Sequence, residues 1–351
     1  MSFEVQESLS AIADRSRQAA LAYSDAQGLA NVYLGGALFA GLGSPKSDTD
    51  LFVVVDDDSR LETEQVYRSG LRIDVEYISW GRLERLVGLV ERYDIRADDM
   101  TQLTEASRSA MDFLTRFKLS EIVSDQGGRL GALRGRLSSA TTRYVDVVMA
   151  RHAMDVSNFA EDVQGALLQN DLQCADYQAR ESLYVSAEAL LASLGDCYVN
   201  TKWLWSKWKR TVGDVLGEST TRIVSDPHDE NVAVAISRSR WLSQDLLVMA
   251  LGQVIYEPQL HAPCPGDAVR DPHVSLIRTV GGFLVLRDVE EGVELSLQGA
   301  LLWGVSHGKP RDVGINETWT LLKEETPDLN EGAVADYFDH LVAIGLLKVS
   351  S

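Results

Sequence analysis

Residues 34–55 read LGGALFAGLGSPKSDTDLFVVV: a glycine pair, a Gly/Ser/Pro/Lys turn, then two aspartates at the head of an apolar run. Leu51 to Val55 is aromatic and β-branched, which predicts a strand, and residues two apart on a strand project from one face. Asp48 and Asp50 therefore stand side by side ahead of a core strand. Carboxylates that close repel one another when desolvated. A shared proton or a divalent cation relieves the repulsion, and hard oxygen ligands favour magnesium, which takes one or two carboxylates plus substrate phosphates.

Outward from this stretch, RIDVEYIS (72–79) predicts a second strand, with Asp74 and Glu76 on one face and Ile73, Val75 and Tyr77 on the other. If the two strands are neighbours, three acids converge and can hold two magnesium ions, one gripping nucleotide phosphates and one activating an attacking oxygen. Gly35 and Gly36 follow the short strand-like run NVYL, and Gly36 precedes Asp48 by twelve residues. Backbone amides without side chains can approach a triphosphate there. An isolated Asp-x-Asp at a strand edge is ordinarily a solvated turn; the glycines and the third acid are what point to metal.

Taken together, Gly36, Gly41, Pro45, Ser47, Asp48, Asp50 and Leu51, with Asp74 following, resemble the signature of the polymerase-β-type nucleotidyltransferase superfamily. The resemblance implies an α+β fold, a mixed sheet with helices. It also implies Asp48, Asp50 and Asp74 as catalytic and metal-binding residues, magnesium as the metal, and a nucleoside triphosphate, ATP favoured, as substrate. Gly35, Gly36, Lys46 and Ser47 are the expected nucleotide contacts. The family's usual phosphate-contacting Ser and Arg are replaced by Ala37 and Ala40. Either Lys46 and the helical region compensate, or catalysis has decayed.

From about Gly81 to Tyr256 the apolar residues recur three and four apart, the pattern of a helical bundle. Within it, ARESLYVSAEALLASLGDCYVNTKWLWSKW (179–208) resembles the bundle that follows the catalytic sheet in antibiotic-modifying nucleotidyltransferases, which places Lys202 on nucleotide phosphates and Arg180 or Glu181 along the cleft. Trp203, Trp205 and Trp208 are better explained as core and surface aromatics than as a base-stacking platform. Residues 257–273 hold four of the eight prolines without apolar periodicity, as an interdomain linker does. The expected organisation is a catalytic domain over 1–95, a bundle over 96–256, the linker, and a small module over 274–351.

That last module alternates strand-like runs with GG and EEG turns before three helical segments. Its order resembles the PqqD-type winged-helix element that captures the leader of a ribosomally made precursor peptide. Capture of that kind is strand addition to an exposed edge, here Val293, Leu295 and Leu297, facing a helix that presents Val334, Phe338 and Leu341. The alternative is an ordinary winged helix with those residues in its core. A DNA-binding role is disfavoured because EGAVADYFDHLVAIG lacks Lys and Arg.

Composition agrees. The 351 residues carry a net charge of −19, which argues against nucleic acid or anionic membrane as partner. No stretch has the length of a bilayer span and no signal peptide is evident, so a cytoplasmic location is the expectation. The three cysteines fit neither a disulfide framework nor a zinc site. The expected activity is nucleotidyl transfer to a precursor peptide in natural-product biosynthesis. A small-molecule adenylyltransferase acting on an aminoglycoside-like drug, or a decayed enzyme serving as a peptide-binding scaffold, are the alternatives.

Overall fold

The computed structural model describes residues 8–44, 46–56, 63–68, 70–94, 101–213, 215–227, 231–261, 263–279, 281–286, 292–323, 326 and 329–350. Pro45 of the signature and Ala262 of the expected linker lie outside the described residues. The chain divides into two compact units, residues 1–93 with 105–147, and residues 94–104 with 148–351.

The first unit starts with α1 (Leu9–Gln27), whose N-cap Ser8 accepts a hydrogen bond from Ala11 N and whose C-cap Gly28 sits at φ 65°. Then come β1 (Asn31–Gly35), α2 (Gly36–Phe39), β2 (Thr49–Val55), β3 (Glu64–Arg68), β4 (Leu71–Ser79) and α3 (Trp80–Arg92). All but the last residue of α4 (Thr101–Glu105) belongs to the second unit. The chain returns through α5 (Arg108–Lys118), β5 (Glu121–Asp125) and α6 (Arg129–Ser139), and leaves along α7 (Thr141–Leu168). The five strands form one mixed sheet in the order β3-β4-β2-β1-β5. β2 and β4 run parallel; the other pairs are antiparallel.

Strand alternation gives this sheet two chemically different faces. Val32, Leu34, Leu51, Val53, Ile73 and Val75 pack with Ala19, Ala20 and Tyr23 of α1. On the opposite face Tyr33 stacks on Phe52 at 4.8 Å, and α5 covers them with Phe117 and Phe113 at 5.1 and 5.5 Å. Asp50, Asp74 and Glu76 share the parity of Phe52 and so belong to this second face.

Two expectations about organisation are corrected here. The first unit continues beyond residue 95, because α5, β5 and α6 complete it. β5 lies within the stretch expected to be wholly helical; four of its five residues pair with the edge of β1, too short a run to interrupt a helical pattern in sequence.

In the second unit α7 leads to α8 (Leu172–Ser193), a 3-10 turn at Thr201–Trp203, α9 (Leu204–Thr211), α10 (Glu218–Ser225) and α11 (Val232–Gly252). Small side chains let these helices approach closely: Ala175 and Ala179 of α8 pack with Val163, Ala166 and Ile236. Beyond α11 come β6 (Asp267–Arg270), β7 (Ser275–Thr279), β8 (Gly282–Leu286), β9 (Gly292–Leu295), α12 (Leu297–Val305), β10 (Lys309–Pro310), α13 (Arg311–Leu322), α14 (Glu331–Ala343) and β11 (Leu347–Val349). They form the antiparallel sheet β7-β8-β9, a second small sheet β10-β6-β11, and the three helices of a winged-helix-like module.

Residues 257–273 are not a free linker. Asp267 to Arg270 form the central strand of a sheet, and α11 grips the chain that follows. Arg240 Nε donates to Pro272 O at 3.0 Å, Trp241 Nε1 to Arg270 O at 3.1 Å, and Gln244 Nε2 to Asp271 O at 2.7 Å and Val274 O at 2.9 Å. A buried ion pair adds to this, with Arg270 Nη2 2.9 Å from Asp245 Oδ1. The prolines remove backbone donors, and α11 side chains satisfy the carbonyls that a solvated linker would leave to water.

Candidate functional site

The parallel pairing of β2 and β4 sets Asp50 directly beside Asp74. Asp48 comes just before β2 begins at Thr49, whose hydroxyl points to the other face and bonds Ser16 Oγ of α1 at 2.8 Å. One carboxylate oxygen each from Asp48, Asp50 and Asp74 lie within 4.8 Å of one another. The three acids expected from sequence are thus brought together, Asp50 and Asp74 by the strand register and Asp48 at the entry to β2.

The glycine pair fits around them. Gly36 stands at φ 81°, and a Cβ placed there would lie 1.7 Å from Asp50 Oδ2. Any other residue at 36 would be strained and would displace that carboxylate. At Gly35 a Cβ would meet the Phe52 ring at 2.8 Å and Arg116 Cβ at 3.3 Å. The turn between β1 and α2 is therefore a cradle shaped to the Asp50 side chain.

Electrostatics follow from this crowding. Burial pushes the Asp50 carboxyl up to about 7 against the pull of Arg116, and the like charges of Asp48, Glu76 and Asp74 push the same way. Burial also works to raise Asp48, but a hydrogen bond shared with Asp74 and the Arg72 guanidinium hold it below the ordinary value. Burial raises Glu76 despite Arg116. Burial first, and the neighbouring acids second, favour a proton on Asp50 that a cation would displace.

Several neighbours went unnoticed in the sequence. Arg72 Nη2 donates to Asp48 Oδ2 and lies 3.4 Å from Asp74 Oδ2, so a guanidinium spans two of the three acids. It stands two residues before Asp74 on the same strand face, a spacing that could have revealed it. Gln65 of β3 donates to Asp74 Oδ1 at 2.8 Å. Arg116 of α5 pairs with Asp112 one turn away at 3.0 Å and reaches Glu76 at 3.4 Å, the latter a contact that only the tertiary fold creates.

The remaining nucleotide-contact candidates are placed less pointedly. Ser47 Oγ accepts from Ser44 N at 2.8 Å, which makes it a turn former. Lys46 is exposed beside it. Lys202 lies in the second unit with its ammonium 5.3 Å from the Trp203 ring, and Arg180 pairs with Asp176 at 3.0 Å. Trp208 is fully buried, as a core aromatic.

Of the peptide-contact candidates, Val334, Phe338 and Leu341 are buried, at 2%, 1% and 0% exposure, and present no surface to a ligand. Their helical spacing serves the inside of the module. β9 is an edge strand, as expected, but it ends at Leu295; Leu297 opens α12. Val293 is half-buried and Leu295 buried.

The donor set fits a hard divalent cation: three carboxylates, no sulfur or imidazole, and a glycine cradle that keeps one of them in place. No helix of the described residues is long and apolar enough to cross a membrane. No family model matches the chain, and no curated protein matches it. Among solved structures it is similar to a nucleotidyltransferase-like protein from Exiguobacterium sibiricum, at 14% identity over 68% of this chain and 77% of that one, with a TM-score of 0.39.

Proposed function

We propose that the chain is a magnesium-dependent nucleotidyltransferase that moves a nucleoside monophosphate, AMP favoured, from a triphosphate to an acceptor and releases pyrophosphate. One observation carries the reading: Asp48, Asp50 and Asp74 converge within 4.8 Å through the β2–β4 register, under a glycine turn that closes on Asp50. When bound, magnesium would neutralise the triphosphate and acidify the attacking oxygen. Asp48 and Asp50 would hold the metal, and Asp74, shared between metal and acceptor, would take the acceptor's proton. The acceptor oxygen then bonds to the α-phosphorus in line as the bond to pyrophosphate breaks. Gly35 and Gly36 would admit the phosphates to the backbone. Ala37 and Ala40 supply neither hydroxyl nor cation there, and Arg72, released from Asp48 once metal neutralises it, is a candidate replacement.

For the acceptor, a precursor peptide adding to the β9 edge remains the reading that the C-terminal module supports, with Val293 as its half-buried contact. A small-molecule acceptor is the second reading, favoured by the burial of Val334, Phe338 and Leu341, which removes the helical half of the expected peptide surface. Incubation with magnesium and each NTP, against a leader-bearing peptide and against aminoglycosides, followed by mass spectrometry, separates them. A nucleotide-sized mass gain on peptide supports the first, and on drug the second. With neither acceptor modified and no nucleotide bound, the enzymatic reading fails.

A further inference from the structure

A fourth acid stands on the face of the triad without joining it. Among the described residues Asp48, Asp50 and Asp74 gather, and Glu76 is not part of the cluster. Glu76 follows Asp74 by two residues on one strand face, a separation of roughly 7 Å along the backbone that a glutamate side chain can close. Its register partner on β2 is Phe52, the next position on that face after Asp50. The backbone therefore does not keep this carboxylate from the metal position.

Helix α5 does. Arg116 Nη1 donates to Glu76 Oε1 at 3.4 Å. The guanidinium is itself gripped one turn back by Asp112, with Nε donating to Oδ1 at 3.3 Å and Nη2 3.0 Å from Oδ2. A two-point contact of that kind fixes direction as well as charge. The stem is fixed too, because Phe113 and Phe117 seat α5 on Phe52 and Tyr33, and Arg116 Cβ lies close enough to the glycine turn that a Cβ on Gly35 would meet it at 3.3 Å. Only 20% of the Arg116 side chain is exposed, so solvent screens the pair less than it would an open surface contact.

We propose that Arg116 is a positioning residue: it holds Glu76 away from the metal ligands, so that the coordination position a fourth carboxylate would fill stays open to substrate. Magnesium takes one or two carboxylates together with substrate phosphates, and another carboxylate would both occupy a phosphate's place and repel it. The inference rests on the metal-and-nucleotide reading of the triad and adds to it the device that limits the number of acids on the metal.

Mn²⁺ binding to the full-length protein is followed by electron paramagnetic resonance in wild type, Arg116→Met, Glu76→Gln and the double variant. Loss of a positive charge alone would tighten the metal equally with and without Glu76, so the cycle isolates the positioning effect. Arg116→Met is expected to tighten nucleotide-free Mn²⁺ about fivefold more when Glu76 is present than in the Glu76→Gln background. Only with Glu76 present should it also remove a metal-bound water, counted by electron–nuclear double resonance. Binding of a non-hydrolysable ATP analogue with Mn²⁺ should move the other way, weakened in Arg116→Met and restored in the double variant. Arg116→Gln, polar but uncharged, repeats the cycle if Arg116→Met lowers the melting temperature. Equal effects in both Glu76 backgrounds, or weaker Mn²⁺ binding in Arg116→Met, would overturn the proposal. If wild type binds manganese but no nucleotide while the metal cycle comes out as expected, the proposed function fails and the positioning role stands; if wild type binds no manganese, both fail.

Discussion

Replacing Gly36 with alanine tests whether the β1–α2 turn exists to hold Asp50. Two costs are separable. A Cβ at φ 81° is disfavoured by about 1–2 kcal/mol wherever it occurs. In addition the new methyl would lie 1.7 Å from Asp50 Oδ2, so the carboxylate must leave its rotamer or the turn must open, for about a further 0.5–1.5 kcal/mol. Gly127 supplies the control: it stands at φ 86° in the same unit, and a Cβ there would have nothing within 4 Å. Gly127→Ala should therefore show the backbone cost alone, and Gly36→Ala about 1.5–3.5 kcal/mol in total. At roughly 2–4 °C per kcal/mol, calorimetric scans should resolve the difference. The sharper readout is Mn²⁺ binding followed by electron paramagnetic resonance, which Gly36→Ala should abolish and Gly127→Ala should preserve. Equal stability losses, with manganese affinity intact in both variants, would refute the idea that this glycine is shaped to a metal ligand.

Three further outcomes follow from the same chemistry. The Asp50 carboxyl holds its proton to about pH 7 when folded, against an ordinary value of 3.8, so its contribution to stability is present at low pH and lost as pH rises through 7. At 1.36 kcal/mol per tenfold in proton affinity, that loss is at most about 4 kcal/mol. Without metal, Asp50→Asn should gain on the wild type as pH rises from 4 to 8 in denaturant titrations; a pH-independent difference contradicts this. Arg72→Met, which removes the guanidinium spanning Asp48 and Asp74, should tighten Mn²⁺ binding severalfold in nucleotide-free protein, and weakened binding would show that Arg72 organises the acids rather than competing for them. In the second unit, Lys207→Met strands Glu188, which is buried and already pushed up to about 7, and should cost about 3–5 kcal/mol; Lys207→Met with Glu188→Leu should recover most of it, as read by urea unfolding.

The part of the fold legible in sequence is the part where period decides. Leu71 to Tyr77 alternates cleanly and Leu51 to Val55 is a continuous apolar run headed by Asp50, so strand parity puts Leu51, Val53, Ile73 and Val75 on one face and Asp50, Asp74 and Glu76 on the other. Asp74 could be matched to Asp50 because a neighbouring strand at that register is the simplest way to use both. β5 was not legible: EIVSD has the length of a turn of helix, and only pairing with β1 makes it a strand. Arg116 was hidden because nothing in its own segment beyond Asp112 hints at Glu76, forty positions away. Segment 257–273 looked like a linker because prolines and missing periodicity describe any chain whose carbonyls are satisfied from elsewhere, here by Arg240, Trp241 and Gln244. Val334, Phe338 and Leu341 illustrate the same ambiguity, since a helical apolar stripe fits a groove and a core equally well, and here it fills the core.

The central claim is that Asp48, Asp50 and Asp74 bind metal in order to bind nucleotide. Its most direct test is calorimetric titration of a non-hydrolysable ATP analogue into the full-length protein, with and without magnesium, in wild type and in Asp50→Asn. Binding that requires magnesium and is lost at least tenfold in Asp50→Asn is the predicted result. Binding that ignores both magnesium and the substitution, or no binding by wild type in the presence of magnesium, would contradict it.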